Sequence, residues 1–149
     1  MLAAKVILFE RGDTWRRALR VLGGDMPHIV ETRSIAECRA ELEEAKASVL
    51  GLELTARDGP DIVELLRDLP TITPMAAAAL FVSPDDAEVL PAAEWQLLQA
   101  GARLVVSRRR RVGEFARFAR EHLRQIDRLR VHSSAEIPYE QRVREELPL

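Results

Sequence analysis

The sequence predicts an α/β fold in which a doubly wound, five-stranded parallel sheet lies between two layers of helices, an α/β/α sandwich. Three observations lead to this prediction: short apolar runs bounded by charged or turn residues, segments of helical period between them, and five such strand–helix units in succession. Strands joined through helices pair in parallel by right-handed crossovers, which places helices on both faces of the sheet.

Each strand is predicted from an apolar run whose length suits a strand that helices cover on both faces. The five runs are KVILF (5–9), HIVETRS (28–34), SVLGLEL (48–54), MAAAALFV (75–82) and ARLVVS (102–107). The alanines make the fourth run the least strand-like of the five, because alanine is depleted in strands.

The helices are predicted from apolar residues at helical spacing and from their ends. Asp13 or Thr14 is expected to cap the first helix, and Ser34 forms a capping box with Glu37 at the start of the second. The third lies around DIVELLRDL, the fourth contains PAAEWQLLQA, and the last starts near Val112. One apolar stripe of this last helix carries Phe115, Ala119, His122, Ile126 and Leu129.

Size and composition indicate a single globular domain. The chain has 149 residues, 47% hydrophobic and 31% charged, which is enough to bury a core. No apolar run approaches the roughly 18 residues of a transmembrane helix, and the first residues become charged too early for a secretory signal. The single cysteine, Cys38, suits a reducing compartment. We therefore expect a cytoplasmic protein with a domain over 1–131 and a C-terminal tail over 132–149, which lacks a steady period.

The order of these elements and several landmarks resemble the receiver domain of two-component response regulators. The landmarks are VILFE before a charged loop, VLGLELTARDG, FVS at the end of the fourth strand and GARLVVSRR at the end of the fifth. The resemblance covers residues 5 to about 125. It implies a flavodoxin-like fold with its site at the carboxyl ends of the strands, where open α/β sheets generally bind ligands.

The receiver resemblance also implies which residues occupy the phosphorylation pocket. Receivers use an acidic pair after strand one to bind Mg²⁺, an aspartate at the end of strand three to accept the phosphoryl group, and a hydroxyl residue and a lysine after strands four and five. Matched to this pattern, the acidic pair falls on Glu10 and Arg11, the hydroxyl residue on Ser83 and the lysine on Arg108. Counting back without gaps from the Asp58-Gly59 loop puts the acceptor position at Gly51.

These substitutions predict a degenerate pocket without catalytic activity, metal or cofactor. Gly51 offers no acceptor, and Arg11 adds a permanent positive charge where Mg²⁺ needs negative ligands. We expect Glu10 to pair with one of the pocket arginines, Arg11 or Arg108. The alternative is Glu53, which shares the strand face of Gly51 and would enter the pocket after a two-residue shift, as an acceptor or as a fixed stand-in for phospho-aspartate. The remaining acidic residue of this region, Asp58, is interpreted as a turn residue.

The charge distribution predicts a second candidate site. Residues 101–131 contain ten arginines and three acidic residues, a net charge of +7. The arginines at positions 108 to 111, which are Arg108, Arg109, Arg110 and Arg111, lie at the predicted start of the last helix, where they oppose the helix dipole. Guanidinium groups beside free backbone N–H groups favour a phosphate or carboxylate, so this cluster is an alternative anion- or nucleotide-binding site. A solvated charged loop is the simpler interpretation.

We expect a pseudo-receiver: an atypical, phosphorylation-independent signalling domain that acts through protein–protein interaction with an unknown protein partner. Receivers often form dimers through helix four, strand five and helix five, so a homodimer is possible, and an exposed Trp95 on the fourth helix would anchor such a contact. An aromatic fraction of 5% and the absence of a nucleic-acid recognition motif argue against nucleic acid, and no segment suggests a membrane.

Overall fold

Strands and helices alternate along the chain in the predicted order. The computed structural model describes residues 4–26, 28–82 and 96–146, with side chains up to residue 129. The strands are β1 (Val6–Phe9), β2 (Ile29–Thr32), β3 (Val49–Leu54), β4 (Ala77–Val82) and β5 (Leu104–Val106). The helices are α1 (Thr14–Leu22), α2 (Ile35–Glu44), α3 (Gly59–Ile72), α4 (96–100) and α5 (Val112–Glu146), with a 3-10 helix (Arg109–Arg111) before α5.

The five strands form one parallel sheet in the order β2-β1-β3-β4-β5. This order confirms the doubly wound, flavodoxin-like α/β fold expected from the sequence. The chain leaves β1 toward β2 on one side and returns to β3 on the other, so the strand order reverses between β1 and β3. Ligands of open α/β sheets bind at the carboxyl ends of the strands at such a switch point. A candidate site is therefore expected where β1 and β3 end.

Helices cover both faces of the sheet, and each face has its own apolar core. Leu50, Leu52 and Leu54 of β3 belong to the core that α2 and α3 cover, together with Leu42 and Leu65 from those helices. Alternate residues of β3 face the layer of α1 and α5, because successive strand residues point to opposite faces. The strands are buried from both sides, as parallel sheets require.

The core beneath α1 and α5 contains an aromatic cluster of Trp15, Phe81 and Phe115. Trp15 from α1 stacks on Phe81 of β4 with ring centroids 4.7 Å apart, and Phe115 of α5 meets Phe81 edge-on at 4.9 Å. Offset-stacked and edge-to-face pairs are the favoured geometries of aromatic rings, each contributing about 0.5–1.5 kcal/mol beyond area burial. The cluster ties both helices to the centre of the sheet.

The helix ends confirm one capping prediction and correct another. Ser34 Oγ accepts the Glu37 backbone N–H at 3.1 Å, which confirms Ser34 as the cap of α2. The Glu37 carboxylate accepts the backbone N–H of Arg33 at 2.9 Å, where the predicted capping box has that of Ser34. Asp13 lies at the N-cap of α1 but makes no side-chain cap hydrogen bond. Its carboxylate instead lies 2.8 Å from Arg17 Nη2, so Asp13 occupies the predicted cap position without the predicted side-chain hydrogen bond.

The last helix begins at Val112, as predicted, and is longer than expected. Its stripe is buried from Phe115 to Ile126, whereas Leu129 is 55% exposed. The helical backbone continues to Glu146, through most of the segment predicted as a tail. That segment is rich in glutamate, glutamine and arginine, which favour helix without needing a buried face. Among the described residues, no helix combines the length and apolarity that a bilayer-spanning segment requires.

Candidate functional site

Charged side chains distant in sequence meet at the carboxyl ends of β1 and β3. Glu10 and Arg11 follow β1, Glu53 is the penultimate residue of β3, and Thr55 and Asp58 lie in the loop leading into α3. The parallel register of β1 and β3 brings Glu53 level with the end of β1. We call these five residues the switch-point cluster.

Gly51 lies inside the sheet and not at this edge. A Cβ atom at Gly51 would come within 2.7 Å of Phe81 Cε2, 2.8 Å of Leu8 Cδ2 and 3.0 Å of Phe115 Cζ. The glycine therefore makes room for the aromatic cluster and for its neighbour on β1. The residue of β3 whose side chain reaches the edge is Glu53, two positions later. The expected place of Gly51 in the pocket is not supported, because Phe81, Leu8 and Phe115 fill the space that a side chain at this position would occupy.

Glu10 caps α1. Its carboxylate accepts the backbone N–H groups of Trp15 at 3.1 Å and of Arg16 at 2.8 Å, and only 4% of the residue is exposed. A carboxylate at a helix N-terminus satisfies free N–H groups and interacts favourably with the helix dipole. Burial raises the pKa of Glu10 above its ordinary value of 4.5, the two backbone hydrogen bonds lower it, and the nearby Glu53 charge adds to the rise.

The ion pair expected between Glu10 and an arginine is not formed among the described residues, because Arg11 binds Asp58 instead. Arg11 Nε and Nη2 donate to the two carboxylate oxygens of Asp58 at 2.8 and 2.7 Å. Thr55 Oγ1 donates to the same carboxylate at 2.9 Å. Planar, bidentate pairing of this kind is the strongest arrangement available to arginine. Asp58 thus holds an ion pair, a role beyond the turn that was predicted for it.

The Arg11–Asp58 pair is buried on one side only. The Asp58 side chain is 4% exposed, whereas that of Arg11 is 43% exposed. The hydrogen bonds from Arg11 hold the pKa of Asp58 below its ordinary value of 3.8, against the opposing effect of burial. Arg11 also donates its backbone N–H to Glu53 Oε1 at 3.3 Å, so it contacts both carboxylates. The positive charge that was predicted to repel a metal is engaged with neighbouring acids.

The donor groups of the switch-point cluster do not fit Mg²⁺. The Glu10 carboxylate oxygens both accept helix N–H groups, and those of Asp58 both accept guanidinium hydrogens. Only Glu53 could offer a largely unengaged carboxylate, whereas Mg²⁺ prefers several oxygen ligands in octahedral geometry. Over residues 4–26, 28–82 and 96–146, no group of three or more acidic, histidine or cysteine side chains is arranged to hold a metal ion.

The four arginines at positions 108 to 111 form an exposed turn between β5 and α5. Arg108 follows β5, and Arg109–Arg111 make the 3-10 helix that leads into α5. Arg111 Nη1 lies 3.9 Å from Glu114 Oε1, a weak surface pair. In the part of the chain that the structure describes, no hydrogen bond or ion pair joins Arg108 to the switch-point cluster, so its predicted place in the pocket is not supported. Ser83 and Trp95 lie outside the described residues.

One basic residue at this edge was not expected from the sequence. Arg33, after β2, donates from Nη1 to the backbone carbonyl of Glu10 at 3.1 Å and also to that of Gly12. It therefore braces the loop between β1 and α1 and holds Glu10 in position to cap the helix. No local signal predicts this contact, because the partners are more than twenty residues apart and meet only through the pairing of β1 with β2.

Solved structures with the same fold include bacterial CheY-like proteins. A CheY-like protein, tadZ, from Pseudomonas aeruginosa superposes with a TM-score of 0.59 at 18% identity, covering 80% of this chain and 98% of that one. A protein from Burkholderia pseudomallei described as pilus assembly-related superposes with a TM-score of 0.53 at 15% identity, covering 80% and 90%. The sequence matches no protein-family model and no curated protein. These similarities establish a receiver-like α/β fold.

Proposed function

We propose that this chain is a receiver-like signalling domain that works through protein–protein contact and transfers no phosphoryl group. The observation that supports the proposal is the internal pairing of the switch-point cluster. Glu10 is bound by the first turn of α1, and Arg11 and Asp58 bind each other. A receiver requires free carboxylates at this edge to hold Mg²⁺ and to attack a phosphate donor.

The absence of phosphoryl transfer changes how such a domain is controlled. A ligand or modification shifts a conformational equilibrium only when it stabilises one state more than the other. In receivers the phosphoryl group provides that difference. Without it, another ligand or partner must favour one state, or the domain presents a constant surface. We propose that this domain presents a constant surface, so that it signals by being bound to its partner.

The direct test is incubation with acetyl phosphate and Mg²⁺ followed by intact-mass measurement. We expect no gain of a phosphoryl group by the wild-type chain, while a phosphorylatable receiver domain in the same reaction gains one. Two variants at Glu53 are measured beside the wild type: Glu53→Gln removes the carboxylate, and Glu53→Asp keeps one. A gain by the wild-type chain that Glu53→Gln abolishes would refute the proposal and establish a phosphoryl acceptor at Glu53.

The position of Glu53 favours a second candidate function, in which it is a fixed charge that imitates phospho-aspartate. Its carboxylate lies at the edge of the sheet and accepts the Arg11 backbone N–H. In this case Glu53→Gln should change amide hydrogen exchange at the ends of β4 and β5, where a receiver responds to phosphorylation. An exchange pattern altered only beside Glu53 itself would contradict this role.

Two expectations from the sequence remain proposals about binding. An anion or nucleotide site at Arg108–Arg111 predicts that phosphate, sulfate or nucleotides raise the melting temperature, because a ligand of the folded state stabilises it. Arg109→Glu/Arg110→Glu should abolish that rise.

A homodimer through α4, β5 and α5 predicts that Leu98→Asp, at a side chain 43% exposed on α4, reduces the sedimentation coefficient. A wild-type chain that sediments as a monomer excludes the dimer.

A further inference from the structure

We infer that the corner where the end of α1 meets the start of α5 is a docking surface for an acidic amphipathic segment of a partner protein. This inference rests on the proposed function and specifies the chemistry of its partner. We call the surface the α1–α5 corner, and its residues are Arg17, Arg20, Val21, Leu22, Arg109, Arg110 and Arg111.

The corner exposes apolar side chains that the fold does not use. Val21 is 79% exposed and Leu22 is 51% exposed, and Val21 is the most exposed large hydrophobic residue among those the structure describes. The packing of α1 on the sheet depends on other residues, Trp15 and Leu19, which are 1% and 2% exposed. Exposed apolar side chains beside charged ones are a common feature of protein-binding surfaces.

The apolar residues are continuous with the arginine turn. The Leu22 carbonyl oxygen lies 3.7 Å from where a Cβ atom of Gly113 would be, so the end of α1 touches the first turn of α5. The 3-10 helix of Arg109–Arg111 also packs against α1. Arg17, Arg20 and Val21 share the outer face of α1 at helical spacings of three and four. The two exposed apolar side chains therefore lie at the same corner as arginines from two elements.

The positive charge of the corner exceeds its acidic partners. Asp13 pairs with Arg17 at 2.8 Å, and Glu114 lies 3.9 Å from Arg111. Across the described part of the chain, no ion pair involves the remaining three arginines, which are Arg20, Arg109 and Arg110. A complementary occupant therefore supplies carboxylates around an apolar side chain that covers Val21.

A protein segment fits these features better than other polyanions. Surfaces that bind single-stranded nucleic acid use stacked aromatic side chains, and the corner has none. A membrane surface needs a broad apolar face, often with tryptophan or phenylalanine, whereas the corner offers one valine and one leucine. An amphipathic helix with acidic flanks presents apolar groups at matching spacing and places its charges beside the arginines.

The test measures fluorescence anisotropy of a labelled acidic peptide of about 14 residues, in which leucines repeat at helical spacing among glutamates. A scrambled peptide of the same composition is the control ligand. Val21→Asp and Arg109→Glu/Arg110→Glu are the test variants of the full chain. Met75→Asp is the matched control, because it makes the same kind of change at an apolar residue that is 39% exposed and lies before β4, outside the corner. Circular dichroism melting verifies that each variant is folded.

We expect the patterned peptide to bind at least about tenfold more tightly than the scrambled one, because covering an exposed valine contributes roughly that factor. Val21→Asp and the double arginine variant should each weaken binding about tenfold or more, and Met75→Asp should leave it unchanged. Equal binding of both peptides, or full binding by Val21→Asp, overturns the inference.

Two further measurements separate the other occupants. A Val21-dependent change in sedimentation of the chain alone identifies a second copy as the occupant, and Val21-dependent binding to phosphatidylserine vesicles identifies a membrane. Either result overturns the protein-segment inference. The outcome of the acetyl phosphate experiment does not depend on peptide binding at the α1–α5 corner. A failure of the docking inference can therefore be distinguished from a failure of the proposed function.

Discussion

Replacing Gly51 with alanine tests whether this position belongs to the core or to the ligand-binding edge of the sheet. The new methyl group would lie 2.7 Å from Phe81 Cε2, 2.8 Å from Leu8 Cδ2 and 3.0 Å from Phe115 Cζ. These neighbours are at most 2% exposed, and β1 and β4 pair with β3 on either side of Gly51. The strain cannot be relieved by moving a side chain into solvent.

Overpacking a core by one methyl group costs about 1–3 kcal/mol. For a chain of this length, each kcal/mol lowers the melting temperature by roughly 2–4 °C, so we expect a decrease of about 5 °C. Phe81→Leu in the same chain should relieve part of the strain. The double variant is then more stable than the sum of the two single effects predicts, with a coupling of about 1 kcal/mol.

Urea unfolding followed by far-ultraviolet circular dichroism measures the free energy of unfolding of each variant. Gly12→Ala is the control, because no atom lies within 4 Å of its added methyl group. We expect it to change stability by less than about 1 kcal/mol. If Gly51→Ala proved as stable as Gly12→Ala, Gly51 would not be packed against the aromatic cluster. The assignment of Gly51 to the pocket would then be restored.

Three further predictions concern ionisable groups. Arg11→Ala should destabilise the fold at neutral pH, because it leaves the Asp58 carboxylate unpaired. Arg11 lowers the pKa of Asp58 below 3.8, so the stabilisation by this pair is complete above about pH 4 and is lost as the pH falls through the pKa of Asp58 in the folded state. The urea midpoints of the variant and the wild type should therefore converge in acid, and a constant difference would contradict the ion pair. Glu10→Ala should cost about 0.5–2 kcal/mol in urea unfolding through loss of the α1 cap, and Glu10→Gln should cost less; equal costs would mean that the carboxyl oxygens are not the cap. His122 Nε2 donates a hydrogen bond at 2.6 Å to the Met75 backbone carbonyl, and burial lowers the pKa of His122 below 6.5. The unfolded chain therefore takes up the proton more readily, and stability should fall as the pH drops below about 6.5. His122→Gln should remove that part of the pH dependence in unfolding curves, and an unchanged slope would refute it.

The sequence predicted the order of strands and helices well because the residue patterns that indicate strands and helices are local. A capping box such as Ser34 with Glu37 requires only residues three positions apart, and an apolar stripe identifies the buried side of α5 within a few turns. The alternation of the units predicted parallel strands joined by right-handed crossovers, and the resemblance to receiver domains implied the doubly wound topology. The length of α5 was missed because its last turns have no apolar periodicity.

Residue positions at the candidate site were less predictable. Gly51 and Glu53 share one face of β3, so the period-two pattern cannot decide which of them reaches the edge. The decision depends on the register of β3 against β1 and on the length of the following loop. Arg11 was one of the two arginines expected to pair with Glu10, and it binds Asp58, which is far along the chain, instead.

The sequence by itself determined the five strand–helix units, their doubly wound arrangement and the concentration of arginine after β5, because each depends on neighbouring residues and on steric rules for joining them. Only the tertiary structure decided that Glu10 caps α1, that Arg11 pairs with Asp58, and that an alanine at Gly51 would collide with the aromatic cluster. Those contacts join separate strands and helices, and their geometry exists only once parallel pairing has set the strands in register.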